Sequence, residues 1–132
     1  MADKTFKCTV LTPERAVLNT SASFAAIPAH DGEIGIMHSR APLLCRLGVG
    51  IVRMDTPEGA KRLFIDAGFA QMLDNTLSIL TEQAATAEEI DVEAERAAQQ
   101  EASNRRPITA EDHAAKARDL ARAGAKIKLA TS

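Results

Sequence analysis

The sequence predicts an α+β chain: a small antiparallel β sandwich or barrel over residues 1–84, then a helical hairpin over 85–132. Three observations lead there. From Thr5 to about Glu82 apolar residues recur with a period of two. Clusters of Pro, Gly, Asp and Asn interrupt that region at short intervals. Past Ala84, alanine and charge abruptly replace Val, Ile and Phe.

In chain order, Phe6, Cys8 and Val10 point one way while Thr5, Lys7 and Thr9 point the other. Turns are expected at Thr12-Pro13, Asp31-Gly32, Thr56-Pro-Glu-Gly59 and Asp74-Asn75. The segment Ile27-Pro-Ala-His-Asp-Gly-Glu-Ile-Gly-Ile36 sets an Asp-Gly turn between two apolar strands, a tight corner of a β domain. Val49-Gly-Ile-Val-Arg-Met54 is apolar on both faces, as a central sandwich strand is. Leu77 and Ile79 close the alternating region.

In the second half, Thr86 with Glu89 makes a capping box, and Ile90, Ala94 and Ala97 follow at helical spacing. A break at Ser103-Asn-Arg-Arg-Pro107 precedes a second start at Thr109 with Asp112. Ala114, Ala117, Ala121 and Gly124 then line one face, with Leu120 beside them. Acids dominate the first helix (Glu88, Glu89, Asp91, Glu93, Glu95, Glu101 against Arg96), and bases the second (Lys116, Arg118, Arg122, Lys126, Lys128 against Asp119). Acids early and bases late suit the helix macrodipole. Two readings of this charge plan stand: complementary solvated helices, or a basic stripe of Arg118, Arg122 and Lys126 offered to an acidic partner. A seam of Ala and Gly buries little apolar area at roughly 25 cal/mol per Å². The hairpin is therefore expected to dock by only a few kcal/mol and to change conformation while the β half stays rigid.

Composition excludes several functions. At 132 residues, 45% hydrophobic and 26% charged, the chain reads as a soluble globular protein, and its net charge of −2 gives no reason to expect nucleic acid. No run of about 18 apolar residues suggests a membrane span, and the opening Met1-Ala-Asp-Lys-Thr5 lacks the apolar core of a signal peptide. Cys8 and Cys45 are expected to be buried free thiols. His30, Asp31, Glu33 and His38 form the densest group of potential metal ligands or acid–base residues. The histidines are eight apart, though, and the Asp-Gly pair is explained as a turn. No catalytic motif accompanies Ser39 or Cys45. Arg96, Arg105, Arg106, Arg118 and Arg122 could converge on an anion, or could be surface arginines. A non-catalytic interaction module fits best; a free-standing small-molecule or metal-binding β-barrel enzyme is the alternative.

Several segments, in order and at this spacing, resemble the epsilon subunit of F-type ATP synthases. They are Phe6-Lys-Cys-Thr-Val-Leu-Thr-Pro-Glu-Arg15, Gly32-Glu-Ile-Gly-Ile36, Ala41-Pro-Leu-Leu44, Leu47-Gly-Val-Gly-Ile-Val52, Ile65-Asp-Ala-Gly-Phe69 and Asn75-Thr-Leu-Ser-Ile-Leu80. The resemblance implies a ten-stranded sandwich and two C-terminal helices in the central stalk of the rotor. It implies gamma, the c-subunit ring, and the alpha and beta subunits as partners, and no catalytic residue of its own. Asp31, Gly32 and above all Glu33 fall where the family meets the c ring. Arg118, Arg122 and Lys126 match the positive helix that meets the beta subunit, where extended helices inhibit ATP hydrolysis. The implied location is peripheral, on the cytoplasmic face of a bacterial inner membrane.

Two departures qualify this. His38-Ser39-Arg40 stands where the family usually has Pro-Gly-His, so that corner's contacts are expected to differ. The family's ATP-binding motif, Ile/Leu-Asp-x-x-Arg-Ala, is kept at Ile90-Asp91 but has Ala94 in place of Arg. Arg96-Ala97 comes two residues late, about 200° around the helix. With only Asp91 and Arg96 left as nucleotide-binding candidates, ATP binding is expected to be weak or absent, and no cofactor or metal is implied.

Overall fold

A computed structural model describes residues 4–132; the first three residues of the opening segment discussed above lie outside it. Eight strands run β1 (Phe6–Leu11), β2 (Ala16–Ala22), β3 (Phe24–Ala29), β4 (Gly32–Met37), β5 (Leu43–Thr56), β6 (Gly59–Leu73), β7 (Thr76–Leu80) and β8 (Ala84–Ala85). A 3₁₀ turn at Ala87–Glu89 leads to α1 (Val92–Ser103) and α2 (Ala110–Thr131). The hydrogen-bonded order is β2-β1-β7-β6-β5-β3-β4, with β8 beside β6. Pairing is antiparallel except for β1 with β7.

The sandwich arises because its two longest strands bend together. β5 has 14 residues and β6 has 15, and they pair from Leu43↔Met72 to Thr56↔Gly59 with a break around Gly48 and Ala67. On one side of the bend β6 pairs with β7; on the other β6 pairs with β8 and β5 with β3, which also reaches Leu47 at the bend itself. Counting each bent strand as two arms turns eight strands into the ten of the expected sandwich. Gly68 permits the bend: its φ is +110°, and a Cβ there would lie 1.9 Å from the Leu80 carbonyl oxygen. The other corners follow the sequence, and Asp74 and Asn75 (φ 50° and 59°) form the positive-φ turn that hairpin twist favours.

Alternation fills the interior with Phe6, Cys8, Val10, Ile27, Ile36, Val52, Met54, Leu63, Ile65, Met72, Leu77 and Ile79. Cys8 is wholly buried, and burial pushes its thiol up to about 12. Cys45 is only half-buried, which corrects the expectation of two buried thiols: it packs at the margin of the core.

The helical half differs from the sequence reading in two ways. The Thr86–Glu89 capping box forms, yet it starts a single 3₁₀ turn. Ile90 is extended, and the helix begins at Val92, where Asp91 accepts the Ala94 N–H at 3.2 Å. Nor is the stripe of Ala114, Ala117 and Ala121 a seam, because all three are exposed. A Cβ on Gly124 would meet nothing within 4 Å. The face of α2 turned inward instead carries Ala123 and Leu129 together with Lys116, Asp119, Arg122 and Lys126. The second capping box, Thr109 with Asp112, starts α2 as expected.

Candidate functional site: two sheet faces and a docked hairpin

The sandwich has two outer faces, and the chain treats them differently. One is built from the outward residues of β5 and β6, where register pairs Val49 with Asp66 and Ile51 with Phe64. α2 lies over this face. Phe64 is fully buried, with Lys126 Nζ 5.0 Å from its ring centroid. Lys126 also reaches Glu95 of α1 at 3.6 Å. Asp66 Oδ2 accepts from Arg122 Nε at 2.6 Å. Arg122 Nη1 then donates to Asp119 at 3.0 Å, Arg105 Nη1 donates to Asp119 at 2.6 Å, and Arg105 Nη2 donates to Glu101 at 2.8 Å. This row of ion pairs ties the sheet to α2, to the interhelical loop and to α1. The Arg105 hydrogen bonds hold both Asp119 and Glu101 below their ordinary carboxylate values.

Among the described residues, nothing covers the other outer face. Leu11, Leu80 and Phe69 stand side by side across β1, β7 and β6, with Leu44 and Leu73 on the same face further along. Phe69, Leu80 and Leu44 are 51%, 50% and 69% exposed, far more than a folded core would leave. Leu11, Pro13, Phe69 and Leu80 line a shallow cavity of about 340 Å³ at one end. Apolar exposure of this kind, in two groups with Arg46, Gln71 and Ser78 between them, marks an interaction surface. The sequence signal was present in the alternation, since Leu80 and Phe69 are register partners with outward parity. What alternation could not show is that the hairpin covers the opposite face.

The predicted site residues take the following places. Asp31 is in the two-residue turn between β3 and β4, and Gly32 and Glu33 open β4; all three are exposed. Glu33 and Lys128 of α2 both line a cavity of about 310 Å³, so the turn lies next to the docked helix. Of the basic stripe, Arg118 is exposed, while Arg122 and Lys126 face the sheet and α1. The five candidate arginines form no open anion site. Arg105 and Arg122 meet on the Asp119 carboxylate, and Arg96, Arg106 and Arg118 are exposed. Asp91 is occupied as the cap of α1. His30 and His38 flank opposite ends of β4, a strand of six residues, which at 3.3 Å per residue spans roughly 20 Å. His38 stands beside Ser39, whose N–H donates to Asn75 Oδ1 at 2.8 Å, so this corner is pinned to the β6–β7 turn. Among the described residues no group of three or more His, Cys, Asp or Glu could hold a metal ion, and no helix is long and apolar enough to cross a membrane. Asp66, missed in the sequence, could have been noticed as the lone charge in the apolar run Leu63-Phe-Ile-Asp-Ala67.

Residues 5–87 match the family model for the ATP synthase, Delta/Epsilon chain, beta-sandwich domain. An ATP synthase epsilon chain of Syntrophomonas wolfei is 38% identical over 131 residues, covering 97% of this chain and 96% of that one. One of Rhodopirellula baltica is 44% identical over 85 residues, covering 64% of this chain and 66% of that relative. Among solved structures, a chain of the Euglena gracilis mitochondrial ATP synthase OSCP/F1/c-ring assembly has the same fold. Its TM-score is 0.84 at 20% identity, over 100% of this chain and 84% of that one. A chain of the Tetrahymena thermophila central stalk/c-ring assembly gives 0.63 at 19% identity, over 99% and 97%.

Proposed function

The chain belongs to the epsilon-chain family of ATP synthases, and from that premise we propose that it is a non-catalytic rotor subunit. It couples proton flow to ATP synthesis and restrains ATP hydrolysis through its helices. The observation that carries this reading is the asymmetry of the sandwich. One outer face is covered by the chain's own hairpin, and the other exposes Leu44, Phe69, Leu73 and Leu80. A permanent partner suits the bare face, and we assign gamma to it. The exposed turn Asp31, Gly32 and Glu33 meets the c ring, with Glu33 the leading contact. Both structural neighbours come from assemblies containing a c ring, which supports a c ring as partner.

Residues 1–84 act as the rotor-binding unit and 85–132 as the regulatory unit, with Arg118, Arg122 and Lys126 meeting the beta subunit when the hairpin leaves the sheet. The alpha subunit is reached through the same catalytic head. The complex sits on the cytoplasmic face of a bacterial inner membrane, and this subunit touches the membrane only through it. ATP binds weakly or not at all, because Ala94 replaces the motif arginine and Asp91 caps a helix. A calorimetric titration finding micromolar affinity would overturn that last statement.

The deciding experiment is ATP hydrolysis by the cognate catalytic head with the intact chain or with one ending at Thr86, which keeps β8. Suppression by the intact chain alone supports the inhibitory reading. If both bind and neither suppresses, the helices are not a brake; if neither binds, the rotor role itself is wrong.

A further inference from the structure

The sheet face beneath α2 is apolar at Val49, Ile51 and Phe64, and Asp66 stands among them with 6% of its side chain exposed. Its backbone is clamped. The Asp66 N–H donates to Thr81 Oγ1 at 3.1 Å and to the Gln83 carbonyl at 3.1 Å, and Thr81 Oγ1 donates to the Asp66 carbonyl at 3.1 Å. The clamp fixes the strand position from which the carboxylate reaches the underside of α2, and Arg122 holds the carboxylate there. Oδ2 takes the Arg122 Nε–H, while Oδ1 is buried with no hydrogen-bond partner among the described residues. Burying a carboxylate is costly unless it is paired, and this one is only half satisfied. Apolar contacts do little to offset that cost. The buried residues of the two helices are Ala102, Ala123 and Leu129, two of them alanines.

We propose that Asp66 is the positioning residue that decides whether the hairpin is docked, by holding Arg122 against the sheet. Arg122 commits its Nε to Asp66 and an Nη1 to Asp119, so it serves this internal row of carboxylates or an external acid. Asp66 thereby competes with any acidic partner of α2. The competition rests on the reading that Arg122 meets an acidic segment of the catalytic head; the docking role does not.

The test is amide hydrogen exchange on the full chain, at low and high salt, for the native protein, Asp66→Asn and the double variant Asp66→Leu/Arg122→Met. Asp66→Asn keeps an acceptor for Arg122 but removes the charge, and is expected to speed exchange in α2 by about tenfold, with β1 and β7 unchanged. Native protection of α2 should fall with salt. The double variant should regain protection and show a weaker salt dependence, because an apolar pair of similar size replaces a buried ion pair while Arg105–Asp119 and Lys126–Glu95 remain. Unchanged α2 exchange in Asp66→Asn overturns the proposal, as does a double variant that exchanges as fast as the single one. A second arm measures hydrolysis by the cognate head, where Asp66→Asn should inhibit more strongly than the native chain. If it frees α2 without changing inhibition, while truncation at Thr86 still relieves it, the competition is overturned and the inhibitory reading stands.

Discussion

Lys126 Nζ stands 5.0 Å from the centroid of the buried Phe64 ring, so a cation from α2 rests on an aromatic residue of β6. The same ammonium lies 3.6 Å from Glu95 of α1. One side chain thus touches all three layers of the docked state: sheet, second helix and first helix. Removing the charge while keeping the stem, as in Lys126→Met, should weaken docking by about 1 kcal/mol, the scale of a partly desolvated cation–π contact. Hydrogen exchange should then rise roughly fivefold in α2 and in the first turns of α1. Equal exchange in both proteins would mean that the contact contributes nothing.

The bare face gives a prediction about assembly. Phe69→Glu and Leu80→Glu place charge on exposed positions, so each should change unfolding free energy by no more than about 0.5 kcal/mol. Both should abolish co-sedimentation with the cognate gamma subunit, because a charge would be desolvated in an apolar interface. Retained binding with intact stability would move the gamma contact elsewhere.

Gly124 offers a gain. It lies inside α2, and a Cβ there meets nothing within 4 Å. Gly124→Ala should therefore stabilise the helix by about 0.5–1 kcal/mol through propensity alone. The readout is slower exchange across α2 with unchanged protection of the strands. A destabilised helix would show that the position is needed for close approach after all.

Acid should loosen the hairpin before the sandwich. Hydrogen bonds from Arg105 hold Asp119 and Glu101 below their ordinary carboxylate values, so both carboxylates lose protons more readily in the folded chain than in the unfolded one. Their contribution is complete above the unfolded values and is lost as pH falls through about 4 and below. Helical circular dichroism and α2 exchange should respond in that window, and Arg105→Gln should weaken the response. An identical acid profile in Arg105→Gln would exclude this origin.

Much of the architecture was legible beforehand, and for physical reasons. Period-two alternation identified Phe6, Cys8, Val10, Leu77 and Ile79 as core, because a strand has no other way to sort its side chains. Turn chemistry located the corners at Asp31-Gly32 and Asp74-Asn75, and both capping boxes formed where Thr and an acid stood three apart. The helix faces were misread because alanine tolerates either environment: a stripe of Ala114, Ala117 and Ala121 satisfies helical spacing whether it meets a partner or water.

The sequence by itself determined that a β unit precedes a helical pair, that Phe6, Cys8, Val10, Leu77 and Ile79 follow one alternation, and to which family the chain belongs. These follow from local periodicity and from motifs read in order. Only the tertiary structure decided that β5 and β6 bend at Gly68 to serve both layers, that α2 covers one outer face and leaves the other bare, and that Arg122 lies against Asp66. Those two residues are 56 positions apart. Their pairing depends on how a helix docks across a twisted sheet, which is a global balance of burial and charge that local pattern does not encode.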